Sequence, residues 1–225
     1  LLGDLGADVV KVERPRIGSW ERNWSGANAF LQGESLFFLG FNRNQRSLTV
    51  NLKDHRGREI IYRLARRADV LIENFRPGVM DSLGLGYEAI ARINPGLIYC
   101  SVTGFGPEGP YAQRPGQDLV LQGESGLASI TGRKQDPPTP TGAPIIDMHA
   151  AALAAFGVVS ALLHRERTGR GQKVETSLFE AALDLQLEPL LYFLNGRRLR
   201  ERSKEGMATT YHEAPYGIYE TKDGY

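Results

Sequence analysis

Cysteine is almost missing from this sequence. Cys100 is the only one, so no disulfide can close within the chain. An excess of charge is missing too. The 27 Lys and Arg nearly balance 26 Asp and Glu, giving a formal net charge of +1. That leaves no electrostatic footprint for nucleic acid. No Walker loop and no Gly-x-Gly-x-x-Gly following a strand is read, so neither ATP nor NAD is supported. His and Cys do not cluster, so no metal site is expected. His149, His164 and His212 are scattered and read as structural or surface residues. No signal peptide is visible. The most apolar run, Ala150–Leu163, is too short to cross a bilayer and ends in "HRERTGRGQ", so no membrane partner is expected.

What is present suits a soluble globular protein of one or two domains: 225 residues, 41% hydrophobic and 24% charged. Cys100 sits in the apolar segment "GLIYCSVTG" and reads as a buried strand residue rather than a nucleophile. A cytoplasmic location fits this cysteine usage. Both ends read as cut. The chain opens on "LLGDLGADVVKVE" without a Met, and "YETKDGY" reads as the first half of a hairpin.

Strand and helix signals alternate along the first half. "LLGDLGA" reads as a helix end and Val9–Glu13 as a strand. Residues 14–47 are irregular, and "LTVNL" is a short strand. "KDHRGREIIYRLARRA" carries Ile60, Ile61, Leu64, Ala65 and Ala68 at helical spacing. "DVLIENF" and "LIYCSVTGFG" are apolar strands, and a helix between them ends near Asn94-Pro95. Further helices are expected near Asp118–Ser129, from Asp147 to about Arg167, and over Glu180–Leu194, with a strand in "QKVETSLFE". Such alternation predicts an α/β fold, a parallel sheet covered by helices on both faces. Ligands bind such sheets at the C-terminal ends of the strands. Two loops there pair positive charge with turn residues, Arg14-Pro15 and Asn74-Phe75-Arg76-Pro77-Gly78, which favours an anionic ligand. "TGRGQ" follows a helix and precedes a strand, so it reads as a chain reversal.

In "TGAPIIDMHAAALAAFGVVSALLH" a carboxylate, Asp147, separates an apolar lead-in from an Ala-rich helix. An ionised Asp is costly among apolar groups unless it is satisfied. The local reading is a helix N-cap, accepting hydrogen bonds from the free amides of the first turn.

Five segments extend that reading: "LLGDLGADVVKVERP", "NRNQRSLTVNLKDHRGREI", "ADVLIENFRPGVMDSLGLGYEAI", "NPGLIYCSVTGFGPEGPY" and "LLHRERTGRGQKVETSLFEAAL". Together they resemble the family III CoA-transferases of the CaiB/BaiF type, which include formyl-CoA transferase, carnitine CoA-transferase and α-methylacyl-CoA racemase. The resemblance implies a Rossmann-like CoA-binding large domain over residues 1–195, and a linker with the start of a smaller domain over 196–225. It implies long linking helices and an interlocked homodimer, of which this chain would be an internal fragment.

Asp147 aligns with the family's catalytic aspartate, and ionisation at a helix start would suit a nucleophile. The aligned CoA contacts are Arg14, Val50, Lys53, Asn74, Phe75 and Val79. Arg14 and Lys53 could meet phosphate charge, and Val50 and Phe75 could face the adenosine. Ser82 stands where formyl-CoA transferase has a basic residue. Gln117 and Asp118 are possible supports, and Gln117 takes the place of the racemase branch's His. The implied activity is CoA transfer from an acyl-CoA to a carboxylic acid through an aspartyl-CoA thioester. CoA and acyl-CoA would be substrates, with no permanently bound cofactor. An acyl-CoA racemase or a non-catalytic acyl-CoA-binding homologue are the alternatives.

Overall fold

The computed structural model describes all residues except 197, 199, 205, 206, 213, 214 and 225. It is a mixed α/β fold that forms two compact units. One comprises residues 1–71, 78–98 and 162–172; the other comprises 72–77, 99–161 and 173–225.

In the first unit β1 (Val9–Glu13) runs parallel to β4 (Gln45–Thr49), from Val9 opposite Gln45 to Glu13 opposite Thr49. Both strands end at one edge, where the Val50 amide donates to the Glu13 carbonyl at 2.9 Å. The strand expected at "LTVNL" therefore lies earlier. Pairing stops where β1 stops, and the chain turns at Asn51, whose side chain accepts from the Lys53 amide at 3.1 Å. The irregular stretch between the strands holds a small hairpin, β2 (Phe30–Leu31) with β3 (Glu34–Ser35), and the helix α1 (Leu36–Phe41). The Ser35 hydroxyl caps α1 by accepting from the Phe38 amide at 3.1 Å.

Helix α2 (His55–Ala65) is capped by Asp54, which accepts from the Arg56 amide at 2.8 Å. Its buried stripe is Gly57, Ile61 and Ala65, one residue per turn. Gly57 is required by space, because a Cβ there would lie 2.0 Å from the Asn51 carbonyl oxygen. Helices α3 (Val79–Ser82) and α4 (Tyr87–Ile93) follow. The Asn94 amide ties the end of α4 to that of α2, donating to the carbonyls of Ala65 and Ala68 at 2.9 and 3.0 Å.

The second sheet has the order β5 (Val70–Glu73), β6 (Ile98–Thr103), β7 (Lys173–Ser177), with β6 and β7 parallel. The middle strand is buried at every residue but Val102, Cys100 included. After β6, Gly104-Phe105-Gly106-Pro107-Glu108-Gly109 does have dinucleotide-type spacing, contrary to the first reading. No helix opens on it, however, because α5 (Asp118–Glu124) begins nine residues later. Gly104 serves instead to let the chain cross itself. A Cβ on Gly116 would lie 2.5 Å from the Gly104 Cα.

Three expectations need correction. The helix near 118–129 divides into α5 and α6 (Leu127–Ile130) at Gly126, whose φ is +86°. The strand in "QKVETSLFE" stops at Ser177. Its hydroxyl accepts from the Glu180 amide at 3.1 Å in a Ser-x-x-Glu pattern and starts α8 (Leu178–Asp184). The helix over 180–194 breaks before α9 (Leu187–Gly196). Pro189 has no amide proton and its ring would crowd the Leu185 carbonyl, so it is accommodated in the first turn of a new helix.

The long helix α7 (Ile145–Thr168) buries Ile146, Ala150, Ala154, Val158 and Ala161 as one stripe. Small residues allow close packing: a Cβ on Gly157 would lie 2.8 Å from Val174 in β7. At 24 residues α7 is long and apolar enough to cross a membrane by length and composition, which corrects the reading of its apolar run as too short. A core helix can have the same length and composition. "TGRGQ" does reverse the chain. Gly169 is left-handed at φ +71°, and the Gly171 amide donates to the Pro95 carbonyl at 2.8 Å. Near the C-terminus β8 (Met207–Ala208) pairs antiparallel with β9 (Gly217–Ile218). "YETKDGY" holds a tight turn that bridges Thr221 to Gly224, and its last residue lies outside the described residues.

Candidate active site

The apolar core of the second unit is built from Leu121, Ile146, Ala150, Ala181 and Ala182. At its edge the first turn of α7 meets the first turn of α5. Asp147 is the third residue of α7, not its cap. The cap comes from Asp118, at the head of α5. Its Oδ2 accepts from the amides of Ile146 and Asp147 at 2.8 and 3.0 Å. Two of the orphan donors of the helix start are thereby satisfied by a residue 28 and 29 positions earlier.

This arrangement changes the electrostatics expected for Asp147. Asp118 takes up the helix-start amides and puts a second negative charge beside the Asp147 carboxylate. The Asp147 pKa is raised above the ordinary 3.8, first by loss of hydration and then by the charge of Asp118. The residue is exposed overall, yet protein atoms crowd its carboxylate. The dipole-favoured carboxylate of the sequence reading is thus replaced by one held above its ordinary range. A more basic carboxylate is a better nucleophile once ionised.

The two supports separate. Asp118 is bonded to the Asp147 turn. Gln117 precedes α5 and is exposed, and among the described residues its side chain makes no hydrogen bond. The sequence reading missed Gln122, which is 2% exposed. Its Nε2 donates to Asp118 Oδ1 at 2.6 Å and its Oε1 accepts from the Thr141 amide at 2.8 Å. The available signal was the spacing, since Gln four residues after Asp shares a helix face with it.

The CoA candidates fall in both units. Arg14 and Val50 are neighbours in the first, each directly following one of the two parallel strands. Arg14 and Lys53 are exposed. Val50 is 5% exposed, with α2 packed over it at Gly57, so its side chain is not presented at the surface. Val79 opens α3 in the same unit. Asn74 and Phe75 follow β5 in the second unit and are exposed, the Phe75 amide donating to Glu73 Oε2 at 2.8 Å. Of the histidines, His149 pairs with Asp184 at 2.7 Å and His212 with Glu188 at 3.1 Å.

Glu13 fixes the start of the Arg14 loop. It is buried, and its carboxylate accepts from Arg22 Nε and Nη2 at 3.1 and 2.7 Å and from the hydroxyls of Ser19 and Ser47 at 2.8 and 2.5 Å. These bonds, with the Arg22 contribution foremost, hold its pKa down to about 2.

The chain shares both sequence and fold with known proteins. It is 40% identical over 225 residues to succinyl-CoA:glutarate CoA-transferase of Mus musculus, covering all of this chain and 50% of that protein. It is 39% identical over 225 residues to the beta subunit of succinyl-CoA–L-malate CoA-transferase of Chloroflexus aurantiacus, covering all of this chain and 55% of that one. A crystal structure of a CaiB/BaiF family protein from Brucella suis superposes with a TM-score of 0.87 at 38% identity, over all of this chain and 59% of that one. The signature of CoA-transferase family III matches residues 1–225, and the chain belongs to that family. It spans about half the length of the curated relatives it matches.

Proposed function

We propose that the complete protein moves CoA from an acyl-CoA donor to a carboxylic acid acceptor, with Asp147 as the nucleophile. The observation that carries the reading is an exposed carboxylate of raised pKa, on a helix start whose amides Asp118 holds. An Asp147 oxygen attacks the thioester carbonyl and expels CoA thiolate, leaving a mixed anhydride. The thiolate attacks the Asp147 carbonyl of that anhydride and releases the donor acid, leaving an aspartyl-CoA thioester. The acceptor carboxylate then runs the same two steps in reverse. Covalent catalysis of this kind divides one exchange into easier steps and conserves the thioester.

CoA is assigned to Arg14, Val50, Lys53, Asn74, Phe75 and Val79, with Arg14 and Lys53 on phosphate charge. A large domain over 1–195 with a smaller one beginning in 196–225, an interlocked homodimer and a cytoplasmic location belong to the same reading. The partners are an acyl-CoA and an acid, with no nucleic acid or membrane.

The test incubates the complete protein with a panel of acyl-CoAs and acids, read by mass spectrometry. Succinyl-CoA comes first because two relatives carry it in their names. A CoA adduct on Asp147 and acceptor-dependent transfer support the reading; no transfer with any pair defeats it. Gln117 cannot exchange a proton near neutral pH, so 2-methylacyl-CoA in deuterated water should gain no deuterium at C2. Rapid exchange there with loss of stereochemistry would point to the racemase.

A further inference from the structure

We propose that Gln122 is a positioning residue for Asp147, acting through Asp118. The inference deepens the transferase reading and rests on it for its kinetic test. A buried carboxamide costs free energy unless both of its ends are satisfied. Here both are, and their polarity is dictated from outside. The Thr141 backbone amide can only donate, so Oε1 must face it. The NH₂ end must then face Asp118 Oδ1, which has to be an acceptor. With Oδ1 held, Oδ2 is aimed at the amides of Ile146 and Asp147.

Gln122 thus anchors the α7 entrance twice. It holds Thr141 directly, at the start of the segment whose Thr141 hydroxyl and Ile145 amide both bond the Ala143 carbonyl at 2.8 Å. It holds the first helical turn through Asp118. Leu or Met would suit a buried helix position equally well by volume. What Gln alone supplies is one acceptor and one donor, four residues beyond an Asp.

The test exchanges that polarity in the complete protein. Gln122→Glu sets two carboxylates against each other, and Asp118→Asn sets two NH₂ groups against each other. The double variant Asp118→Asn/Gln122→Glu restores a donor and an acceptor at every contact. Each single change is expected to lower kcat by about 10- to 100-fold, as for a nucleophile misplaced by about 1 Å, with KM for acyl-CoA little changed. The double variant should recover about tenfold of that loss. A double variant no better than the worse single one overturns the proposal.

An independent readout needs no activity. In Gln122→Met, hydrogen exchange at the Thr141, Ile146 and Asp147 amides should quicken by about tenfold relative to mid-α7 amides, a local opening. Unchanged exchange at those three overturns the proposal. If the wild type transfers no CoA, the transferase reading falls and the exchange result alone decides this inference.

Discussion

Asp118 caps the helix that carries Asp147. A single carboxylate oxygen serves both the Asp147 amide and its neighbour, at 3.0 and 2.8 Å. Loss of hydration raises the pKa of the Asp147 side chain, and the cap that orders its backbone adds to the rise because it is itself negatively charged.

Asp147 should therefore cost the fold stability at neutral pH. Between the ordinary 3.8 and the raised folded value, the unfolded chain has lost its proton and the folded chain keeps it. Stability falls as pH rises through that window, and the deficit persists at neutral pH. Asp147→Asn is expected to melt about 1–3 °C higher than wild type at pH 7, with the gap closing below pH 4. It should also lose transfer by about 10³-fold or more while still binding CoA. Melting curves at the two pH values and CoA titration check both parts. Substantial residual transfer would remove Asp147 from the reaction.

Glu13 has the opposite sign. Its folded pKa of about 2 lies below the ordinary 4.5, so its contribution is complete above 4.5 and is lost as pH falls toward about 2. Glu13→Gln leaves the partly exposed Arg22 without its carboxylate and should cost about 1–3 kcal/mol at pH 7. Urea unfolding measures that gap, which should narrow steadily below pH 4.5. A gap independent of pH would mean that packing, not charge, is responsible.

Gly116→Ala tests the crossing that leads into α5. The added Cβ would sit 2.5 Å from the Gly104 Cα, a backbone atom that cannot swing aside. A loss of about 2 kcal/mol is expected. Transfer should fall as well, because Asp118 begins two residues later. Melting temperature and kcat of the purified variant decide the matter; an Ala variant equal to wild type in both would show that the crossing has slack.

Cys100 should be chemically silent. Burial raises its thiol pKa to about 11, with a smaller contribution from Glu73. A thiol-reactive disulfide reagent at pH 8 should label none of the native protein and one equivalent after denaturation. Stoichiometric labelling of the native form would refute the buried assignment.

Much of this fold was legible because its signals are local. Val9–Glu13 is a strand with the expected bounds, and Ile61 and Ala65 on α2 fall on a helical stripe. Asp147 stood out as a carboxylate among apolar residues, although its alignment with a catalytic aspartate came from the family motifs. What escaped was non-local. The α7 cap lies on another helix, so the nearest Asp looked like the cap. Gln122 looked like one more member of an apolar helix, because its partners, Asp118 and Thr141, become neighbours only when α5 meets the α7 entrance. The breaks at Gly126 and before α9 also escaped, although Gly126 and Pro189 marked them locally.

Borrowing a cap has a consequence for the order in which the chain can be made. Residues 118 and 147 emerge in sequence, and closing the loop between them costs entropy before any bond is gained. Until α5 has docked, the first turn of α7 frays, and its carboxylate is an ordinary solvated Asp. The raised pKa of Asp147 thus arrives late, as a product of tertiary assembly. A nascent chain paused before that docking carries the residue as an ordinary carboxylate.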